Sequence, residues 1–254
     1  VHYTAKYFRE SMPEWKKRKD PVLSKLFYRP VSFFVSALAA NRKWSANDVS
    51  YFSLLVGVVG CLAYLPTIPS FNLIGAILIN AWLVLDCTDG NMARSLRKQP
   101  FGEFADGISS YVLVGLMSTC VSINVYFHGG LIVHPGFVWI ILIGAIGSNA
   151  DTMMRLVYQK YKATERGLAE NGSIKINPDV RTDRSKVGDI RVRIEAELGI
   201  GGILPLLLLI CTVLNVLDLF VVYCFLYYGG SALLVISSFI KRAKLAEHSG
   251  EENA

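Results

Sequence analysis

Histidine, charge and metal-type cysteine spacing are all scarce in this chain of 254 residues. Its four histidines form no HxxxH pair, and its five cysteines (Cys61, Cys87, Cys120, Cys211 and Cys224) form no CxxC. That excludes a zinc site or a disulfide frame and leaves the thiols as small apolar residues. Charged residues make up only 18% of the chain, and no repeat or composition shift marks off a separate soluble domain. The opening is charged and contains Trp15 among lysines, unlike the short apolar core of a cleaved secretion signal.

What remains is apolar. Hydrophobic residues account for 52% of the sequence, and the mean hydropathy is +0.39. They fall in six long runs, at about residues 45–65, 71–95, 102–126, 136–157, 193–214 and 217–240. A hydrocarbon core of roughly 30 Å asks for about 20 such residues per helix, and a soluble bundle of this size could not hide six of them. The expected fold is an all-α integral membrane protein with six transmembrane helices, preceded by an N-terminal amphipathic interfacial helix. Residues 1–44 form the cytoplasmic N-terminal segment, 45–244 the membrane domain with a cytoplasmic loop at about 158–190, and 245–254 a polar tail.

The interfacial helix is expected at about 22–40, where Leu26, Phe27, Phe33, Phe34 and Leu38 interleave with Lys25, Arg29 and Ser36, and Pro30 predicts a kink. Before it, Lys16-Lys17-Arg18-Lys19 suits anionic lipid. Ser45-Ala46-Asn47-Asp48 predicts the start of the first span. With the N-terminus inside, the three outer turns (66–70, 127–135 and 215–218) hold none of the 26 lysines and arginines, so both termini lie on the cytoplasmic side. The net charge of +6 then describes an inner membrane-facing surface, and nucleic acid is not needed to explain it.

One stretch carries chemistry: Asp86-Cys87-Thr88-Asp89-Gly90-Asn91-Met92-Ala93-Arg94, then Gly102 and Asp106. Ionised groups in apolar helices are expensive and usually functional. Asp86 and Asp89 share a helix face, and Asp106 lies four residues into the next, antiparallel helix. Three carboxylates converging from two helix ends suit a hard cation, Mg²⁺, Mn²⁺ or Ca²⁺. Gly90 and Ala93 keep the surface low, and Arg94 offers donors for phosphate oxygens. Together they describe a diphosphate pocket opening on the cytoplasm.

The pattern Asp-x2-Asp-Gly-x2-Ala-Arg-x7-Gly-x3-Asp resembles the signature of the CDP-alcohol phosphotransferases. Six spans, an interfacial helix before them and the signature across helices two and three fit that family over most of the chain. The resemblance implies transfer of a substituted phosphate from a CDP-linked donor (CDP-diacylglycerol or a CDP-amino alcohol) to an alcohol, one of the two being a membrane lipid, with release of CMP in phospholipid synthesis. It implies metal at Asp86, Asp89 and Asp106, nucleotide binding at Asp86, Asp89, Gly90, Ala93 and Arg94, Mg²⁺ or Mn²⁺ as cofactor with Ca²⁺ as inhibitor or stand-in, and a homodimer.

One position departs from the pattern. Ser110 stands where the family has a fourth aspartate, a metal ligand and the group that takes the proton from the attacking hydroxyl. A serine hydroxyl is no useful base at neutral pH, and losing a positioned base costs about 10²- to 10⁴-fold. An engineered replacement, a natural divergence with another base, and a member that binds without turnover all fit. Glu103, on the same helical stripe as Asp106 and Ser110, is the candidate substitute base, against a plain helix-dipole role. A weakened nucleotide- or lipid-binding member is the alternative function; a divalent-cation carrier is the remote one, because it would not need Gly90, Ala93 and Arg94.

Weaker expectations concern other positions. Asn149 and Asp151 are candidates to line the cavity from the fourth span, against plain helix-end solvation, and Arg155 is a candidate to meet a phosphate or headgroup, against the basic helix end that topology expects. Glu195 and Glu197, beside Arg191 and Arg193, suit a first-turn dipole role. Gly144, Gly147, Gly199 to Gly202, Gly229 and Gly230 suggest close helix packing. His128 and His134 fall on the outer side.

Overall fold

The computed structural model describes residues 2–172, 194 and 196–251. Helices and the turns between them make up the described residues, with no strand among them. Two short helices, α1 (Ala5–Glu10) and α2 (Glu14–Lys19), lead into a π-helical turn (Ser24–Tyr28) and α3 (Arg29–Asn41). Then follow α4 (Ala46–Leu62), α5 (Pro69–Ser95), α6 (Gly102–His128), α7 (Trp139–Glu170), α8 (Leu204–Val213) and α9 (Leu217–Glu251). Each start has a local cause. Ser45 and Asp48 close a reciprocal capping box at α4, and α5 opens on Pro69, whose missing N–H is redundant in a first turn.

Four helices, α5, α6, α7 and α9, are long and apolar enough to cross a membrane. The apolar α4, with 17 residues, and α8, with 10, are shorter. The core threads between these helices through Ile79, Trp82, Leu113, Met117, Val121, Ile140, Leu208 and Phe220, all fully buried. Helix α5 packs on α3, α4 and α8, while α6 is held between α4 and α7. Close approach of α7 follows from two glycines. A Cβ on Gly144 would lie 2.7 Å from the Ser118 carbonyl oxygen of α6, and one on Gly147 3.2 Å from the Phe225 nitrogen of α9.

Three sequence-based expectations need correction. The fourth helix does not end near 157: α7 runs on through Tyr158 to Glu170, with Lys162 paired to Glu165 at 2.7 Å, and stops at Asn171-Gly172, where Gly172 takes φ 74°. Polarity marked the end of the apolar run, but polar residues sustain a helix until a breaker comes. The fifth run is not one helix. Helical turns at 196–198 give way to a bend at 199–203, and α8 starts only at Leu204, because Gly199, Gly201, Gly202 and Pro205 together interrupt the pattern. A Cβ at Gly229 or Gly230 would meet nothing within 4 Å, so these two serve no close packing among the described residues.

The segment around Pro30 combines a π-helical turn with α3. Proline has no N–H to donate and its ring crowds the carbonyl four residues back, so the widened turn before it lets the helix continue. Along this segment Val22, Leu26, Phe27, Val31, Phe34 and Leu38 are exposed, while Ser24, Arg29, Ser32 and Ser36 are buried. The segment is amphipathic with its polar face inward.

Candidate active site

The last turns of α5, the first turns of α6, the start of α4 and the N-terminal segment enclose one cavity of about 870 Å³. Asp86, Asp89, Gly90, Ala93 and Arg94 line it from α5, and Glu103, Asp106 and Ser110 from α6. Every residue singled out from the motif is thus in one place. The short connection between α5 and α6 makes this possible: Phe101 takes a left-handed conformation at φ 57°, and the Asn47 side-chain amide donates to the Pro100 carbonyl at 2.8 Å.

Asp89, Arg94 and Ser110 each have a support. Asp89 is 4% exposed and accepts a 2.6 Å hydrogen bond from the Ser50 hydroxyl of α4. Beneath it, Ser109 accepts from the Trp82 indole at 2.9 Å and shares a 2.7 Å bond with Ser53, tying α4, α5 and α6 together. The Arg94 guanidinium folds back over Gly90, where a Cβ would stand 3.1 Å from its nitrogens, and donates to Asn91 Oδ1 at 3.3 Å. The lowered surface at Gly90 therefore accommodates Arg94 itself. Ser110 donates to the Gly107 carbonyl at 3.0 Å.

The sequence had pointed to one face of α5; the opposite face is equally specific. Arg29 of α3, 6% exposed, donates to the Cys87 carbonyl at 3.0 Å and to Asn91 Oδ1 at 2.9 Å. Its other nitrogens bind Asp20 at 2.7 and 3.1 Å, and Asn91 in turn donates to the Ser32 hydroxyl at 2.9 Å and that of Ser36 at 3.3 Å. Burial acts to raise the Asp20 carboxyl, but the Arg29 hydrogen bonds and the Lys16 and Arg29 charges outweigh it and hold the group below the usual carboxylate range. Arg29, Asn91 and Asp20 escaped sequence reasoning. Asn91 lies inside the motif, and an arginine within an amphipathic run was the remaining signal.

Lys16 also lines the cavity, and its ammonium lies 2.9 Å from Asp20. Of the basic cluster expected at lipid, Lys17 and Arg18 are exposed and Lys16 is turned inward. Neither Asn149 nor Asp151 lines this cavity. Asn149 is exposed and donates to the Ala145 carbonyl at 2.8 Å. Asp151 pairs with Arg155, which stacks over the Tyr111 ring at 4.9 Å, and both line a second cavity of about 520 Å³. Glu197 does more than serve a helix dipole: its carboxylate accepts the Val22 N–H at 3.0 Å. Glu195, Arg191 and Arg193 lie outside the described residues. His128 sits at the far end of α6 from the motif.

Three carboxylates facing one cavity are the right donors for a hard divalent cation. Among the described residues, however, no three His, Cys, Asp or Glu side chains are gathered closely enough to hold one. Asp89 is turned toward Ser50, so the donor chemistry fits and the arrangement is open.

None of the curated proteins matches the chain. The family model described as CDP-alcohol phosphatidyltransferase matches residues 43–178. That stretch is just over half of the 254 residues and contains every residue of the motif, so the chain belongs to the CDP-alcohol phosphatidyltransferase family, transferases that move a phosphate-substituted group from a CDP-alcohol to an acceptor alcohol.

Proposed function

We propose that this protein transfers a substituted phosphate from a CDP-linked donor to an alcohol, releasing CMP, in membrane lipid synthesis. The observation that carries the proposal is that Asp86, Asp89, Asp106, Gly90, Ala93 and Arg94 all line one cavity, which brings three carboxylates and a guanidinium to the same space. The acceptor oxygen forms a bond to the distal phosphorus while the bond from that phosphorus to the CMP oxygen breaks. Arg94 offsets charge on the diphosphate, and the enclosed site orients the two reactants. Asp86, Asp89 and Asp106 would hold a divalent cation, Mg²⁺ or Mn²⁺, which when bound supplies further neutralisation of that charge. The proton of the attacking hydroxyl goes to Glu103, which lines the same cavity.

The proposal includes six spans, α4 and the interrupted segment ending in α8 being the two short ones. The outward apolar face of the segment around α3 supports its lying in the membrane interface, with Lys17 and Arg18 toward anionic lipid. The termini and the cavity are taken as cytoplasmic, and the protein as a homodimer. Replacement of Asp89 by Asn in detergent-purified protein should abolish CMP release with Mg²⁺ or Mn²⁺ and a panel of CDP-linked donors. Turnover at the unsubstituted rate would sink the assignment.

A second proposal, that the chain binds nucleotide without turnover, is favoured by one observation. The Ser110 hydroxyl already donates to the Gly107 carbonyl and has no basic function to offer the acceptor.

A further inference from the structure

The two cavities meet at one side chain. Lys16 lines the larger, with the motif carboxylates, and also the smaller, whose other walls come from α7, the 196–201 stretch and α9. It belongs to α2, which precedes residue 43, where the family match begins, so nothing in the matched stretch assigns it a role. Its side chain is 23% exposed and is fixed in place: Asp20 holds the ammonium at 2.9 Å while Arg29 locks Asp20. It shares the larger cavity with Asp86 of α5 and Asp106 of α6. The smaller cavity has a polar group to offer as well, since the buried Tyr228 hydroxyl on its wall has no hydrogen-bond partner among the described residues.

A cation wedged between two cavities, beside carboxylates that share a phosphate-handling site, is placed for an anion that spans both. Resting on the transferase proposal above, we propose that Lys16 binds the phosphate in transit, at the junction between the cavity holding the CMP moiety and the cavity on its far side. While the acceptor oxygen bonds to that phosphorus and the CMP oxygen leaves, Lys16 contributes hydrogen bonds and charge to the phosphate oxygens. The N-terminal segment is then part of the substrate site and not only its support.

CMP lacks the phosphate that Lys16 would touch, and CDP carries it. The experiment measures binding of CMP and of CDP, each with Mg²⁺, by calorimetry on the full chain in detergent, for the unsubstituted protein, Lys16→Gln and Lys16→Arg. Loss of a charge-assisted hydrogen bond predicts CDP binding weaker by about 10- to 100-fold in Lys16→Gln. CMP binding should be unchanged, and Lys16→Arg should retain most of the CDP affinity, which also guards against misfolding as the cause. Equal CDP binding in Lys16→Gln, or equal losses of CMP and CDP, would make Lys16 a structural pin for α2 and overturn the inference alone. If the unsubstituted chain binds neither nucleotide, the transferase proposal falls and takes this inference with it.

Discussion

Position 110 concentrates the chemistry of this chain into one atom. The Ser110 hydroxyl spends its proton on the Gly107 carbonyl, one turn back on the same helix, while Asp106 and Glu103 line the same cavity from that helix. A carboxylate at 110 would be a base where the hydroxyl is not. Ser110→Asp should therefore raise CMP release by about 10²- to 10⁴-fold if position 110 is where the proton must go. If the rate is unaltered and Glu103→Gln abolishes it, Glu103 carries the proton in the chain as it stands. Asp89 was legible from its spacing alone, because a carboxylate in an apolar run advertises itself. Its partner Ser50, on another helix and 39 positions away, was not, since a serine in a span has many ordinary uses.

At the scale of the element, α3 and α5 form the least expected pair. The exposed side of α3 is apolar and its buried side polar, the reverse of a soluble surface helix, because the polar side meets Asn91 and the Cys87 carbonyl of α5. Amphipathicity was legible in residues 22–40; which side faced the protein was not, since periodicity locates two faces without naming what each one touches. The buried Asp20–Arg29 pair makes this docking sensitive. Arg29→Met leaves the buried Asp20 with Lys16 as its remaining partner, which costs about 1.5–3 kcal/mol, and should lower the melting temperature in detergent and open the 20–45 region to protease. Acid should act similarly. The native pKa of Asp20 is depressed, so its stabilisation is present above its unfolded value of about 3.9 and is lost as pH falls through the lower native value. Protease sensitivity of this region should therefore rise in acid in the unsubstituted chain, and should respond less to acid in Arg29→Met.

For the whole molecule, helix existence was legible wherever an apolar run was long, as in α5, α6 and α9. The start of α4 was legible from its Ser45 cap, whereas the glycines that follow α7 and precede α8 were not read as stops. The tail of α7 and the break before α8 were missed because hydropathy reports where a membrane can be, and backbone chemistry decides where a helix stops. Sidedness can be tested directly, since all five native cysteines are buried. Ser70→Cys, in the first turn of α5 and on the side proposed as outer, and Arg97→Cys, next to the cavity-lining Lys98, are both at exposed positions. In sealed right-side-out vesicles an impermeant maleimide should label the first and spare the second; the opposite result would reverse the topology.

The N-terminal segment is clasped by residues from late in the chain: Glu197 takes the Val22 N–H, the Ser24 hydroxyl donates to the Gly201 carbonyl at 2.6 Å, and Tyr28 reaches Asn80, which itself donates to the Pro205 carbonyl at 2.9 Å. During synthesis, then, residues 22–28 wait for residues 197–205 before they can settle. The clasp on the segment that carries Lys16 closes only after residues 197–205 have emerged, so a nascent chain has its three aspartates well before it has the full wall around them.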